Sequence, residues 1–307
     1  MNNIKARLVD AATAAFMDFV GVAPLDRFNG VHRRMHPAAH LPGAQSVVSI
    51  GMRYPLAMYE NAGRTLAESF MAMDSFDSNV MPATLMAAAL DLARVLEDNG
   101  HAAVPIAVNM YRVHPYKDID ECWSPDFRNE VAAVAAGHGE IGLHGVVITP
   151  RFGTRQMFTS VVTDAVLAPD PMYAGAPLCD NCRKCLGACR MHALDDTATD
   201  TVVVGPRTFT IARKDRWRCM WSRKFMLNAE MGPKLHGLDV TIAPPDGAIT
   251  DTDVQSALAE KGRRGGLQTW YTYAMRECER ECVPPHLRGV DLLAVHARAV
   301  AHTGAAT

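Results

Sequence analysis

The sequence predicts an α+β protein in two parts, an α/β domain over residues 1–168 and a cysteine-rich segment over 169–290, followed by a tail at 291–307. Three observations predict it. Helical and strand periodicities alternate through the first half, the composition shifts at the connector Ala168-Pro-Asp-Pro171, and seven of the eight cysteines lie beyond that connector. At 307 residues and 49% hydrophobic, the chain is long enough for one large or two modest cores.

Each element has its own signal. Residues 4–20 read as an amphipathic helix, because Ile4, Leu8, Ala12 and Phe16 recur every four residues. A stretch rich in Pro, His and Arg at 23–45 leads to a β-branched strand at 46–50. Pro82 opens a second helix with the apolar stripe Leu85, Ala89, Leu92 and Leu96, and Asn99-Gly100 stops it. Residues 102–108 read as a strand. Asp126 is placed to cap a helix through Val131 and Val134 to Gly137. A strand at 146–148, a turn at 150–153 and the alternating Met157, Thr159 and Val161 read together as a hairpin. The tail begins as an alanine-rich helix.

Composition excludes several classes. A net charge of −2 with both signs mixed argues against a general polyanion binder. The local exception is a basic segment of Arg207, Arg213, Lys214, Arg216, Arg218, Arg223 and Lys224 with Trp217 and Trp221 interleaved. Such a segment suits an RNA-contacting patch or, as the plainer reading, basic side chains packed over an anionic site. No stretch approaches the roughly 18 uninterrupted apolar residues of a membrane span. The opening residues lack a basic start followed by an apolar core and cleavage site, so a reducing cytoplasm is expected and a disulfide framework is not.

The cysteines carry the chemistry. Cys179, Cys182, Cys185 and Cys189 form a CxxCxxCxxxC run, and Cys219, Cys278 and Cys282 follow. Three thiolates at intervals of three curl around one iron-sulfur cluster, while the fourth points toward a second. Crossing of the two sets assigns a [4Fe-4S] cluster to Cys179, Cys182, Cys185 and Cys282. Cys189, Cys219 and Cys278 remain for a second cluster, [4Fe-4S] or [3Fe-4S]. A complete second motif would have cysteine at position 275, where Met275 stands as a weak candidate ligand. Zinc is the competing reading of CxxC pairs, but two further cysteines at these spacings are redundant for one tetrahedral ion. The proline that follows the fourth cysteine of bacterial ferredoxin motifs is replaced by Arg190 and Val283. Cys122 reads as a packed small hydrophobe.

Gly137, Gly139 and Gly142 spell GxGxxG, but they close a helix rather than open one, unlike a dinucleotide fingerprint. They permit close backbone approach, to a cofactor or to a packed helix end. In order, this glycine loop, Ile148-Thr-Pro-Arg-Phe-Gly153, Val162-Thr-Asp164 and the cysteine run resemble the corrinoid iron-sulfur reductases, which include epoxyqueuosine reductase and the reductive dehalogenases. Upstream, His40-Leu-Pro-Gly-Ala-Gln-Ser-Val-Val48 is similar as well, and downstream Cys219 and residues 273–282 fall where the second cluster motif would be.

The resemblance implies a nitroreductase-like domain holding cobalamin, followed by a ferredoxin-like double-cluster domain. Electrons would pass from an external donor such as ferredoxin or flavodoxin through the clusters to cobalt, and a small-molecule substrate would be reduced. It also implies cofactor contacts from Gly137, Gly139, Gly142 and Thr149. The family's proton-donating aspartate is matched by Trp123 here, which shifts that role to Asp126, Asp120 or, as in the dehalogenases, Tyr116. Because the helical-repeat region of epoxyqueuosine reductase has no counterpart after Cys282, tRNA is expected to be disfavoured as a partner. The competing expectations are an electron carrier or corrinoid-reactivating protein with no substrate of its own, and FMN in place of cobalamin.

Overall fold

The computed structural model describes residues 3–61, 76–108, 127–225, 242–265 and 277–300. Its strands are β1 (Phe19–Pro24), β2 (Ser46–Arg53), β3 (Ala103–Ile106), β4 (Glu140–Ile141), β5 (Val147–Ile148), β6 (Gln156–Thr163), β7 (Leu194–Val204) and β8 (Arg207–Lys214). With its helices they make a mixed α+β molecule. A four-stranded sheet in the order β1-β2-β6-β3, every pair antiparallel, forms the centre.

The two central strands are almost continuously apolar or small because both sheet faces are covered. On one face Val22, Val48, Ile50 and Val161 meet Leu8 and Ala12 of the helix Asn3–Ala14 and Ala89, Leu92 and Leu96 of the helix Met81–Glu97. On the other, Ala23, Val47, Phe158 and Val162 meet Val131 and Val134 of the helix Asn129–Ala135. The period of two along each strand sorts neighbours such as Val47 and Val48 to opposite layers.

The stripe on the second helix is as the sequence predicts: Leu85, Ala89, Leu92 and Leu96 are all 0% exposed. The helical stretch Phe76–Glu97 has 22 residues and a hydropathy of 1.3, long and apolar enough by composition to cross a membrane. Leu85, Leu92 and Leu96 are nevertheless buried, as in a core helix.

Two elements differ from expectation. The first helix ends at Ala14, because Phe16 turns left-handed with φ 59°. Phe16 is 87% exposed and off the stripe, and residues 19–24 pair with β2 as an edge strand. The expected hairpin keeps its turn, in which Thr149 and Gly153 exchange backbone hydrogen bonds of 2.7 and 3.1 Å. Its arms then part: β5 pairs with β4, whereas β6 crosses to β2 and β3.

After the cysteine run, β7 and β8 form a hairpin closed at Gly205, where φ is +54°. Its Val202, Val204 and Phe209 join the core around the helix Asn129–Ala135. That core therefore spans the connector at 168–171.

Candidate metal centres

The cysteine run is shaped by left-handed backbone. Of four non-glycine residues with positive φ among those described, three lie here: Asn181 at 55°, Arg183 at 61° and His192 at 48°. Each costs about 1–2 kcal/mol, and such strain concentrates at functional sites. Alternating hands of backbone also turn successive N–H groups to one side, the concavity that suits anions and many iron-sulfur sites. The short helix Lys184–Gly187 follows directly, burying Cys185 and leaving Cys182 exposed.

Both ends of the first loop are fastened. Leu178 donates its backbone N–H to the Glu140 Oε2 at 2.8 Å, and Glu140, buried, is paired with Arg207 of β8. Asp180 accepts two hydrogen bonds from the Arg288 guanidinium, at 2.6 and 2.8 Å, and one from the Cys182 N–H at 3.3 Å. The Arg288 hydrogen bond is the main reason the Asp180 carboxyl is held well below the usual carboxylate range.

The chain brings the thiols near one another, with Cys278 packed against the hydrophobic cluster that contains Cys185. Cys282 lies just after the helix Glu277–Arg280, and burial pushes its thiol up to about 12, with Cys185, Cys179 and Cys182 adding to the shift. Burial, then Cys179 and Cys182, pushes Cys185 up to about 11. Cys278 is raised still further, by burial and Glu279, with Cys219 and Cys189 also contributing. Cys189 accepts the Ala193 N–H at 3.3 Å and, with Cys219, packs against Met191, Trp221 and Phe225. Thiols that oppose each other's ionisation become thiolates only beside a strong cation, which a metal supplies. Among the described residues no three His, Cys, Asp or Glu side chains converge closely enough for a single metal ion. Met275 and Cys122 lie outside the described residues.

The residues nominated for cofactor contact are all engaged within the fold. A Cβ on Gly137, whose φ is +92°, would strike the Pro171 carbonyl; one on Gly139 would strike the Ile148 carbonyl. At Gly142 it would meet the Ile148 and His144 side chains. The Thr149 hydroxyl lies 3.2 Å from Gln156 Oε1 and accepts the Phe152 N–H at 3.2 Å. These contacts give each glycine a packing reason.

Sequence reasoning passed over His144. It is 1% exposed; its Nδ1 accepts the Val146 N–H at 3.1 Å, which puts the ring proton on Nε2. That Nε2 has no hydrogen-bond partner. Burial, then Lys214, lowers the His144 pKa to about 3. A buried donor without an acceptor costs about 1–3 kcal/mol; Ser49 Oγ and His296 Nε2 are likewise buried without a partner among the described residues, and His144 is the one packed beside the glycine loop. No motif marks it, which is why the sequence did not.

The candidate proton donors Tyr116, Asp120 and Asp126, with Trp123, lie outside the described residues. Much of the basic segment is spent locally. Arg207 pairs with Glu140, Arg213 with Asp200 and Arg218 with Asp215, while Trp221 is buried and donates to the Ile242 carbonyl at 2.7 Å.

No protein-family model matches the chain. Over 90 residues it is 38% identical to the tetrachloroethene reductive dehalogenase of Dehalobacter restrictus, covering 28% of this chain and 16% of that protein. Over 64 residues it is 45% identical to a tetrachloroethene reductive dehalogenase of Desulfitobacterium hafniense, covering 20% and 12%. The chain thus matches less than a fifth of the length of these relatives. Among solved structures, epoxyqueuosine reductase from Streptococcus thermophilus matches with TM-score 0.49 at 16% identity, over 95% of this chain and 68% of that one. A catabolic reductive dehalogenase in complex with 3-bromo-4-hydroxybenzoic acid matches with TM-score 0.49 at 16% identity, over 95% and 35%. The expectation that tRNA is disfavoured is corrected. An epoxyqueuosine reductase with a modified tRNA-Tyr stem loop matches over 94% of this chain and 73% of its own, with TM-score 0.44 at 16% identity. Where this chain ends carries no information on that point.

Proposed function

We propose that this chain is a cytoplasmic reductase that passes electrons from an external donor, through two iron-sulfur clusters, to a corrinoid that reduces a small molecule. The observation that carries the reading is that Cys282 shares its surroundings with Cys185, Cys179 and Cys182, and Cys278 with Cys219 and Cys189, from which the two ligand sets are proposed. That donor set fits iron-sulfur clusters, because a third and a fourth cysteine at these sequence spacings are redundant for one tetrahedral zinc ion. Identity to tetrachloroethene reductive dehalogenases supports both the reductive chemistry and a small substrate.

In this reading a nitroreductase-like part, 1–168, and a ferredoxin-like part, 169–290, share one core and meet where the cofactors would lie. The corrinoid would supply a low-potential metal able to break a substrate bond reductively. His144 would donate from Nε2 to an acceptor on that cofactor, and the glycine loop would hold His144 in place by its packing. One of Tyr116, Asp120 and Asp126 would deliver the proton.

Anaerobic reconstitution, metal analysis and a visible spectrum test this. About seven to eight irons per chain and a corrinoid spectrum are expected, as two clusters of three or four irons require. A flavin spectrum would replace cobalamin by FMN, and absence of corrinoid uptake would overturn the reading. Turnover assays with tetrachloroethene and with an epoxyqueuosine-modified tRNA stem loop then decide the substrate class. Clusters without turnover of either would favour an electron carrier.

A further inference from the structure

We propose that Arg155 is a positioning residue for the cluster assigned to Cys179, Cys182, Cys185 and Cys282, fixing the Cys282 loop and raising that cluster's reduction potential. The inference rests on the cluster reading above. Arg155 stands just before β6 and is 2% exposed. Its Nη1 donates to the Cys282 carbonyl at 3.0 Å and its Nη2 to the Arg280 carbonyl at 2.9 Å. Neighbouring Thr154 donates from its hydroxyl to the Glu279 carbonyl at 2.6 Å. Two adjacent side chains thus satisfy the carbonyls left open at the end of the helix Glu277–Arg280, the segment that carries Cys278 and Cys282. The backbone of Arg155 is itself pinned, since its carbonyl accepts the Tyr54 N–H at 3.0 Å.

The guanidinium stays charged under all conditions of interest. Burial of that charge is expensive without a partner, and Glu60 supplies one at 2.7 Å, from a side chain that is 28% exposed. Glu60 is therefore screened by solvent, while the guanidinium edge that meets the Cys282 loop is not. Reduction by one electron from the external donor adds one negative charge to the cluster. A fixed positive charge beside it favours the reduced form, so loss of the charge lowers the potential.

The test is a redox titration of the full chain, reconstituted anaerobically and followed by electron paramagnetic resonance, with Cys282→Ser identifying which signal belongs to the cluster in question. Arg155→Gln is expected to lower the midpoint of that signal, by about tenfold in the reduction equilibrium or ~60 mV for one electron, and to leave the other signal in place. Arg155→Lys should keep most of the potential. Glu60→Gln, which leaves the guanidinium unneutralised, should move the same midpoint upward. If Arg155→Gln does not fold, Glu60→Gln carries the test, and an unmoved midpoint overturns the inference. Equal shifts of both signals would overturn it too. If Cys282→Ser leaves both signals intact, the cluster reading itself fails and the inference falls with it; if Cys282→Ser removes one signal whose midpoint neither Arg155→Gln nor Glu60→Gln moves, the reading stands and this inference alone is wrong.

Discussion

His144 ties stability to pH through one ring. Its pKa lies near 3 when folded, chiefly because of burial, against 6.5 when free. Between those values the unfolded chain binds a proton that the folded chain does not. The neutral ring's contribution is therefore fully present above pH 6.5 and is lost as pH falls, at about 1.4 kcal/mol per pH unit. Lowering the pH from 7.5 to 5.5 should depress the urea midpoint of the natural chain more than that of His144→Asn, whose amide oxygen replaces Nδ1 as acceptor without titrating; parallel losses would remove His144 as the cause. Legibility at this scale divides by kind of residue. The cysteines proposed as ligands are visible in the sequence because cluster chemistry dictates a spacing. Arg155, Glu140 and His144 are not, because their roles come from partners such as Cys282, 127 positions away, or from burial alone.

The helix Met81–Glu97 shows what periodicity delivers at the scale of the element. Its stripe sits on the sheet as read, so Leu92→Ala, at a fully buried position, should cost about 2–5 kcal/mol, seen in the urea midpoint. Leu90, 43% exposed on the same helix, should lose less than about 0.5 kcal/mol as Ala; equal losses at the two sites would contradict the assignment of faces. Strands leave a weaker local signal. β1 was hidden inside a helical pattern because Phe16 falls on the four-residue repeat, yet the left-handed turn at Phe16 frees residues 19–24 to pair with β2. β6 was recognised as a strand but given the wrong neighbour. Its alternation declares two faces, whereas its partners β2 and β3 lie far away in sequence and leave no local signal.

Across the whole molecule, one core takes residues from both sides of the boundary that composition draws at 168. Val202, Val204 and Phe209 lie in the same core as Val131 and Val134, and Glu140 reaches across to both Leu178 and Arg207. The cysteine segment is thereby fastened to β4, while His144 lies in the turn between β4 and β5 and Arg155 stands just before β6. The proposed function rests on the seven thiols forming two crossed sets. Electron paramagnetic resonance of the reduced, reconstituted chain tests it most directly, comparing Cys282→Ser with Cys278→Ser. Each substitution should abolish or alter a different cluster signal and spare the other; loss of the same signal in both variants, or of neither, would rule out two crossed sets.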